Sequence, residues 1–153
     1  MNFIVEDGTG LQTATSYVTT AEFVNFWADR GEDYSETPED DIKAWLNKAT
    51  AYIDTFNLKG HKVSRTQALK WPRWGMVHDD DWPVLSDEIP SEIKKAVMYI
   101  AAHTDAIQEI NSGVQSESYG PVSKTYTGKA PDFVLVKQNI RSFLDSANIL
   151  VRV

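Results

Sequence analysis

The sequence predicts a mainly α domain: a small helical bundle of about four helices with a β-hairpin, a long irregular arm and an extended C-terminal tail. Three observations lead there. Apolar residues recur at helical spacing in four separate windows; residues 58–88 carry no sustained period; and the tail 148–153 is apolar and β-prone. A chain of 153 residues is the length of one domain, 1–153, with its helical core drawn from about 17–57 and 89–147.

The first helix is expected over 19–30. Thr19 and Glu22 form a capping box, Val18 and Phe23 stand at the staple positions, and Gly31 is placed to end it. Phe23, Phe26 and Trp27 make its apolar stripe. The second helix is expected over 38–57, with Thr37 as cap, Pro38 at the first position and acids at 39–41. Ile42, Trp45, Leu46, Ala49, Ile53 and Phe56 lie on one face. A third helix runs from about Pro90 to about Asn111, stopped by Gly113. "VQSESYGPVSKTYT", within 114–127, reads as two short strands around Gly120-Pro121. A fourth helix restarts after Pro131 with Asp132 as cap and Phe133, Val136, Ile140, Phe143 and Leu144 on its face. There is no internal repeat.

Net charge is −7, so a polyanion or an acidic membrane should be repelled unless charge is segregated along the chain. It is segregated. Residues 57–75 hold Lys59, Lys62, Arg65, Lys70 and Arg73 with no acid; residues 76–92 hold six acids and no base. Such a sign change suits contact between copies of the chain. It nominates Arg65, Trp71, Arg73 and Trp74, with Asp79, Asp80 and Asp81, as a subunit interface. There is no cysteine, hence no disulfide or thiolate chemistry, and this suits a reducing cytoplasm. The N-terminus has no basic, apolar leader pattern, and no window approaches the roughly 20 apolar residues of a membrane span.

No catalytic constellation can be named, so no enzyme and no cofactor are expected. His61, His78 and His103 lack partners at metal-ligand spacing. His78-Asp79-Asp80-Asp81 could hold a hard cation, but it lacks the alternating spacing and central glycine of a calcium loop, and reads as a solvated acidic turn. Asp7-Gly8-Thr9-Gly10 reads as turn chemistry. The serines lack a nucleophile elbow, and Thr127-Gly128-Lys129 lacks the upstream glycine of a phosphate loop.

Nucleic acid is the stronger alternative. Five cations interleave with Trp71 and Trp74, which is how single strands are gripped. The competing reading has one tryptophan buried, the other free for a neighbour, and Arg73 stacked on a ring. The acidic balance favours this structural or interface reading.

Taken in series, "VEDGTGLQTATSYVTTAEF", "TQALKWPR", "DEIPSEIKKAV" and "SESYGPVSKTY" resemble the small head-to-tail adaptor (connector) proteins of tailed bacteriophages, a group often labelled DnaT-like single-stranded-DNA-binding protein. The resemblance covers most of the chain. It implies a virion neck protein made in the bacterial host cytoplasm, without enzymatic activity or cofactor. Usually twelve copies form a ring below the portal protein. The ring extends the channel for double-stranded DNA, without sequence-specific binding, and docks the next neck or tail-completion protein. An acidic channel lining would let DNA slide. Two β-prone segments are then expected to meet the portal or a neighbour: the hairpin through Tyr119, Val122 and Tyr126, and the tail through Ile149, Leu150, Val151 and Arg152. The competing classes are a single-stranded-DNA-binding or primosome accessory protein and a generic cytosolic helical scaffold.

Overall fold

The structure, a computed structural model, describes residues 1–103, the strand pairs 118–119 and 122–123, and residues 130–145. Among the described residues there are four α-helices: α1 Thr20–Ala28, α2 Glu39–Ile53, α3 Ser91–Ala101 and α4 Ala130–Asn139, with a 3-10 turn at Arg141–Phe143. Helix α2 packs against both α1 and α3, and α3 packs against α4. Between α2 and α3, β1 (His61–Lys62) pairs antiparallel with β2 (Arg73–Trp74). Between α3 and α4, β3 (Ser118–Tyr119) pairs antiparallel with β4 (Val122–Ser123), with Tyr119 opposite Val122, which is the strand pairing expected of the hairpin.

The start of α1 follows from the capping box. Thr19 Oγ1 accepts from Glu22 N–H at 3.1 Å, and Glu22 Oε2 accepts from Thr19 N–H at 2.8 Å. Two donors left over at the helix end are thereby satisfied. Val18 and Phe23 are fully buried beside it, and Trp27 Nε1 donates to the Met98 carbonyl on α3 at 3.3 Å. From α2 the core receives Ile42, Leu46, Ala49 and Ile53; from α3, Ile93, Ala96, Val97 and Ile100; from α4 and its turn, Val136, Ile140 and Phe143. Each large side chain so buried stabilises the fold by about 1.5–3 kcal/mol.

Helix α1 ends at Ala28, short of the expected 30, and four further features differ from expectation. Thr37 does not cap α2: Pro38 occupies the cap position without a side-chain bond, and its carbonyl accepts from Asp41 N–H and Ile42 N–H. The acids at 39–41 complement that helix end in place of a cap. Helix α2 also stops at Ile53 rather than 57, because the next residue, Asp54, is captured by groups from elsewhere in the chain. Helix α4 begins at Ala130, so Pro131 and Asp132 lie in its first turn; proline costs nothing there, since its missing N–H would be unpaired anyway. Finally, Phe143 and Leu144 belong to the 3-10 turn and its end, not to the helix. The described part of α3 ends at Ala101. The rest of its expected range, Gly113, Tyr126 and the tail with Ile149, Leu150, Val151 and Arg152 lie outside the described residues.

The capping box carries a pH dependence. Burial alone would raise the Glu22 carboxyl, but the Thr19 N–H and the Lys94 ammonium at 3.1 Å outweigh it and hold it below its ordinary 4.5. Burial would likewise raise Glu92, and the bonds from His78 and Ser91 reverse that. A depressed folded pKa gives stability that is fully present above the unfolded value and lost as pH falls through the folded one. Urea unfolding at fixed ionic strength is therefore expected to show stability declining as pH drops below 4.5, with a shallower decline in Glu22→Gln. An equal slope in both proteins would remove Glu22 from the account.

Candidate functional site: the arm and its acidic hairpin

The arm is fastened to the helices by one buried phenol. Tyr17 has no exposed surface; its hydroxyl donates to Asp54 Oδ1 at 2.6 Å and accepts from Trp71 N–H at 3.1 Å. Asp54 Oδ2 accepts from Lys70 N–H at 3.1 Å, and the Lys70 ammonium donates to the Phe56 carbonyl at 2.7 Å. Burial first, then the Asp54 charge, push the Tyr17 hydroxyl well above its usual range. Burial raises Asp54 as well, against the hydrogen bonds it accepts from Tyr17 and Lys70. The group is a set of structural hydrogen bonds holding Lys70 and Trp71 at the end of α2.

Two further side chains fold the arm upon itself. Gln67, 3% exposed, donates to the carbonyls of Leu69 and Pro72 at 2.9 and 3.0 Å and accepts from Ser64 N–H at 2.8 Å. Arg73, 8% exposed, donates to the carbonyls of Lys59 and Gly60, both at 2.8 Å, and of Lys70 at 3.2 Å. Burial lowers its guanidinium from the ordinary value, against the nearby Tyr17 and Asp54. The Trp71–Pro72 peptide is cis, and the Trp71 ring lies 5.2 Å from that of Phe143 at 73°.

The N-terminal loop braces the same region. Glu6, 3% exposed, accepts from the N–H groups of Gly8 and Gly10 through Oε1, and from that of Leu11 through Oε2, at 2.9–3.0 Å. Gly8 has φ +100°, and a Cβ there would stand 2.1 Å from the Asp87 carbonyl oxygen, so only glycine fits.

Residues 76–84 form a second hairpin. Val84 N–H bonds to the Met76 carbonyl and His78 N–H to the Trp82 carbonyl, and Asp79–Asp81 form its tip. Met76 and Val84 are buried beneath it. His78 Nδ1 lies 2.8 Å from Glu92 Oε2, which ties the hairpin to the first turn of α3.

This geometry sorts the nominated residues. Arg65, Trp74, Asp79, Asp80 and Asp81 are exposed. Trp71 and Arg73 are not: the placement of these two side chains in a subunit interface is corrected, because one is enclosed by the core and the other is bonded to three carbonyls of its own chain. Nor, among the described residues, does Arg73 stack on a ring. One buried and one exposed tryptophan is the expected outcome, and it holds. His61 sits against Trp74, ring centroids 5.2 Å apart, on the outer face of β1–β2. For Tyr119 and Val122 only the backbone pairing is described. The sequence reading missed Trp82 and Leu85, 70% and 62% exposed, and the buried Glu6, whose signal was an acid just ahead of two glycines. Among the described residues no group of three or more His, Cys, Asp or Glu side chains is placed to hold a metal ion, and no helix is long and apolar enough to cross a membrane.

A family model described as "Putative DnaT-like ssDNA binding protein" matches residues 1–153, the whole chain. No curated protein and no solved structure matches it.

The division of the two arginines is measurable. Arg73→Ala strips three part-buried carbonyls of a charged donor and is expected to lower the unfolding free energy by about 1–3 kcal/mol, water taking up part of the loss. Arg65→Ala should stay within about 0.5 kcal/mol of wild type. Urea midpoints in the reverse order would overturn the assignment.

Proposed function

This chain belongs to the DnaT-like ssDNA binding protein family, and we propose that within it the protein is a structural component of a phage virion: a head-to-tail adaptor that forms a ring below the portal, extends the DNA channel and docks the next neck or tail protein. One observation carries this reading. Of the seven arm residues that composed a nucleic-acid grip, Trp71 and Arg73 are buried in the fold, and the Lys70 ammonium is held by the Phe56 carbonyl. What stays exposed is a shorter basic stretch beside an acidic hairpin, within a chain of net charge −7. That surface suits self-association better than capture of a polyanion. In this reading the protein is not an enzyme and needs no cofactor.

The second reading, a single-stranded-DNA-binding or primosome accessory protein, is favoured by the family description and by the exposed Trp74–His61 pair flanked by Lys59, Lys62 and Arg65. A single base could stack there. The two separate cleanly. An adaptor is present in purified virions at fixed copy number and leaves Trp74 fluorescence unmoved by oligonucleotides. A replication protein is absent from virions and binds single strands at micromolar concentration with steep salt dependence, lost in Trp74→Ala.

The adaptor reading also gives the apolar tail a task as a strand added to the portal or a neighbour. Deleting 148–153 removes nothing from the described core, which reaches Asp145. The truncated chain is expected to keep its helical circular dichroism yet fail to enter particles. Infectious particles at normal yield, carrying normal amounts of truncated protein, would show the tail to be dispensable.

A further inference from the structure

Two exposed apolar patches of opposite surroundings lie on successive hairpins. The first is the outer face of β1–β2, where Val63 and Trp74 are 42% and 54% exposed, with Lys59 and Arg65 at the surface nearby in the chain. Alternation along β2 explains it: Arg73 is buried and its neighbour Trp74, opposite the exposed His61, is turned outward. The second is the hairpin at 76–84 and the turn after it, where Trp82 and Leu85 stand free beside Asp79, Asp80 and Asp81. Tryptophan at 70% exposure is rare on a surface that stays wet, and it is the residue type that most often anchors interfaces.

Charge selects the occupant. Pairing either patch with its own kind sets acid on acid or base on base, whereas pairing one with the other joins apolar centres inside opposite charges. None of Lys59, Arg65, Asp79, Asp80 and Asp81 takes part in a salt bridge among the described residues. The arm itself is held in place by buried bonds, so the basic face is presented on a fixed support. We propose that copies of this chain join head to tail, the acidic Trp82–Leu85 hairpin of one subunit seated on the basic Val63–Trp74 face of the next. This rests on the ring reading above and assigns its contact. Such a contact is heterologous: an open chain of subunits has a free basic patch at one end and a free acidic patch at the other, and only closure into a ring pairs them.

Two charge-reversed chains test it. One carries Lys59→Glu with Arg65→Glu, the other Asp79→Lys with Asp80→Lys; all four positions are exposed, and circular dichroism checks the fold of each. Sedimentation at low salt should find wild type in closed oligomers. Each reversed chain alone should associate at least about tenfold more weakly, from the repulsion of like charges. An equimolar mixture should assemble again, because each reversed patch meets its complement, and the rings should contain both chains in equal number. Trp82→Ser, which leaves the charges in place, should also weaken wild-type assembly. If wild type assembles and the reversed chains assemble as well by themselves, this contact is overturned while the ring reading stands. Assembly that stops at a dimer overturns the heterologous arrangement. A wild-type chain that stays monomeric, with and without portal protein, overturns the ring reading and this contact with it.

Discussion

The hydroxyl of Tyr17 lies between Asp54, at the end of α2, and the backbone of Trp71, far along the arm. Everything about the arm depends on that junction. A phenol with no exposed surface must place its polar atom, and here it does so by donating to a carboxylate and accepting from an amide. The carboxylate in turn stops the helix and holds the next amide, that of Lys70. One side chain from the N-terminal segment thus fixes where α2 ends and where the arm crosses the core. With Trp71 locked there, its ring closes over Phe143, and the chain just past α4 is brought against residues 57–59 through Leu58 and Leu144.

The electrostatics of the surface follow from this packing. An arm of five cations would be a basic ribbon if it lay loose. Instead the guanidinium of Arg73 is drawn inside to three carbonyls and the ammonium of Lys70 to a fourth. Carbonyls carry no net charge, and burial displaces both cations from their ordinary pKa, outweighing the offsetting charge of nearby Asp54. The cationic character left at the surface is local, and the neighbouring hairpin answers it with three aspartates.

The helices were legible because their signals are local. The Thr19–Glu22 capping box, the apolar spacing from Ile42 to Ile53 and the stripe from Ile93 to Ala101 act within one or two turns of chain. The end of α2 was not legible, because the partner that stops it, Tyr17, lies 37 residues away. The same holds for the arm. "TQALKWPR" is visibly a special stretch, but nothing in its composition says that Arg73 turns inward while Arg65 stays out. That sorting is made by Lys59 and Gly60, whose carbonyls lie just ahead of β1, the strand paired with Arg73. Trp82 was passed over for a related reason: a tryptophan among acids reads as a loop residue until the hairpin beneath it is seen to bury Met76 and Val84 and leave it standing.

Three buried polar side chains among the described residues share one habit. Glu6, Gln67 and Arg73 all address main-chain atoms, and those atoms are the same whichever residue supplies them. The framework is therefore indifferent to the identity of most side chains around it, save where a Cβ cannot fit, as at Gly8 and at Gly60, whose Cβ would stand 2.3 Å from the Trp74 carbonyl oxygen. Lineages carrying this fold can rewrite the outward sequence of the arm and hairpin, and so change what they recognise, while inheriting the same scaffold. Among distant relatives a few anchoring residues should persist amid otherwise unrelated surfaces, and kinship should be easier to trace through buried contacts than through overall identity.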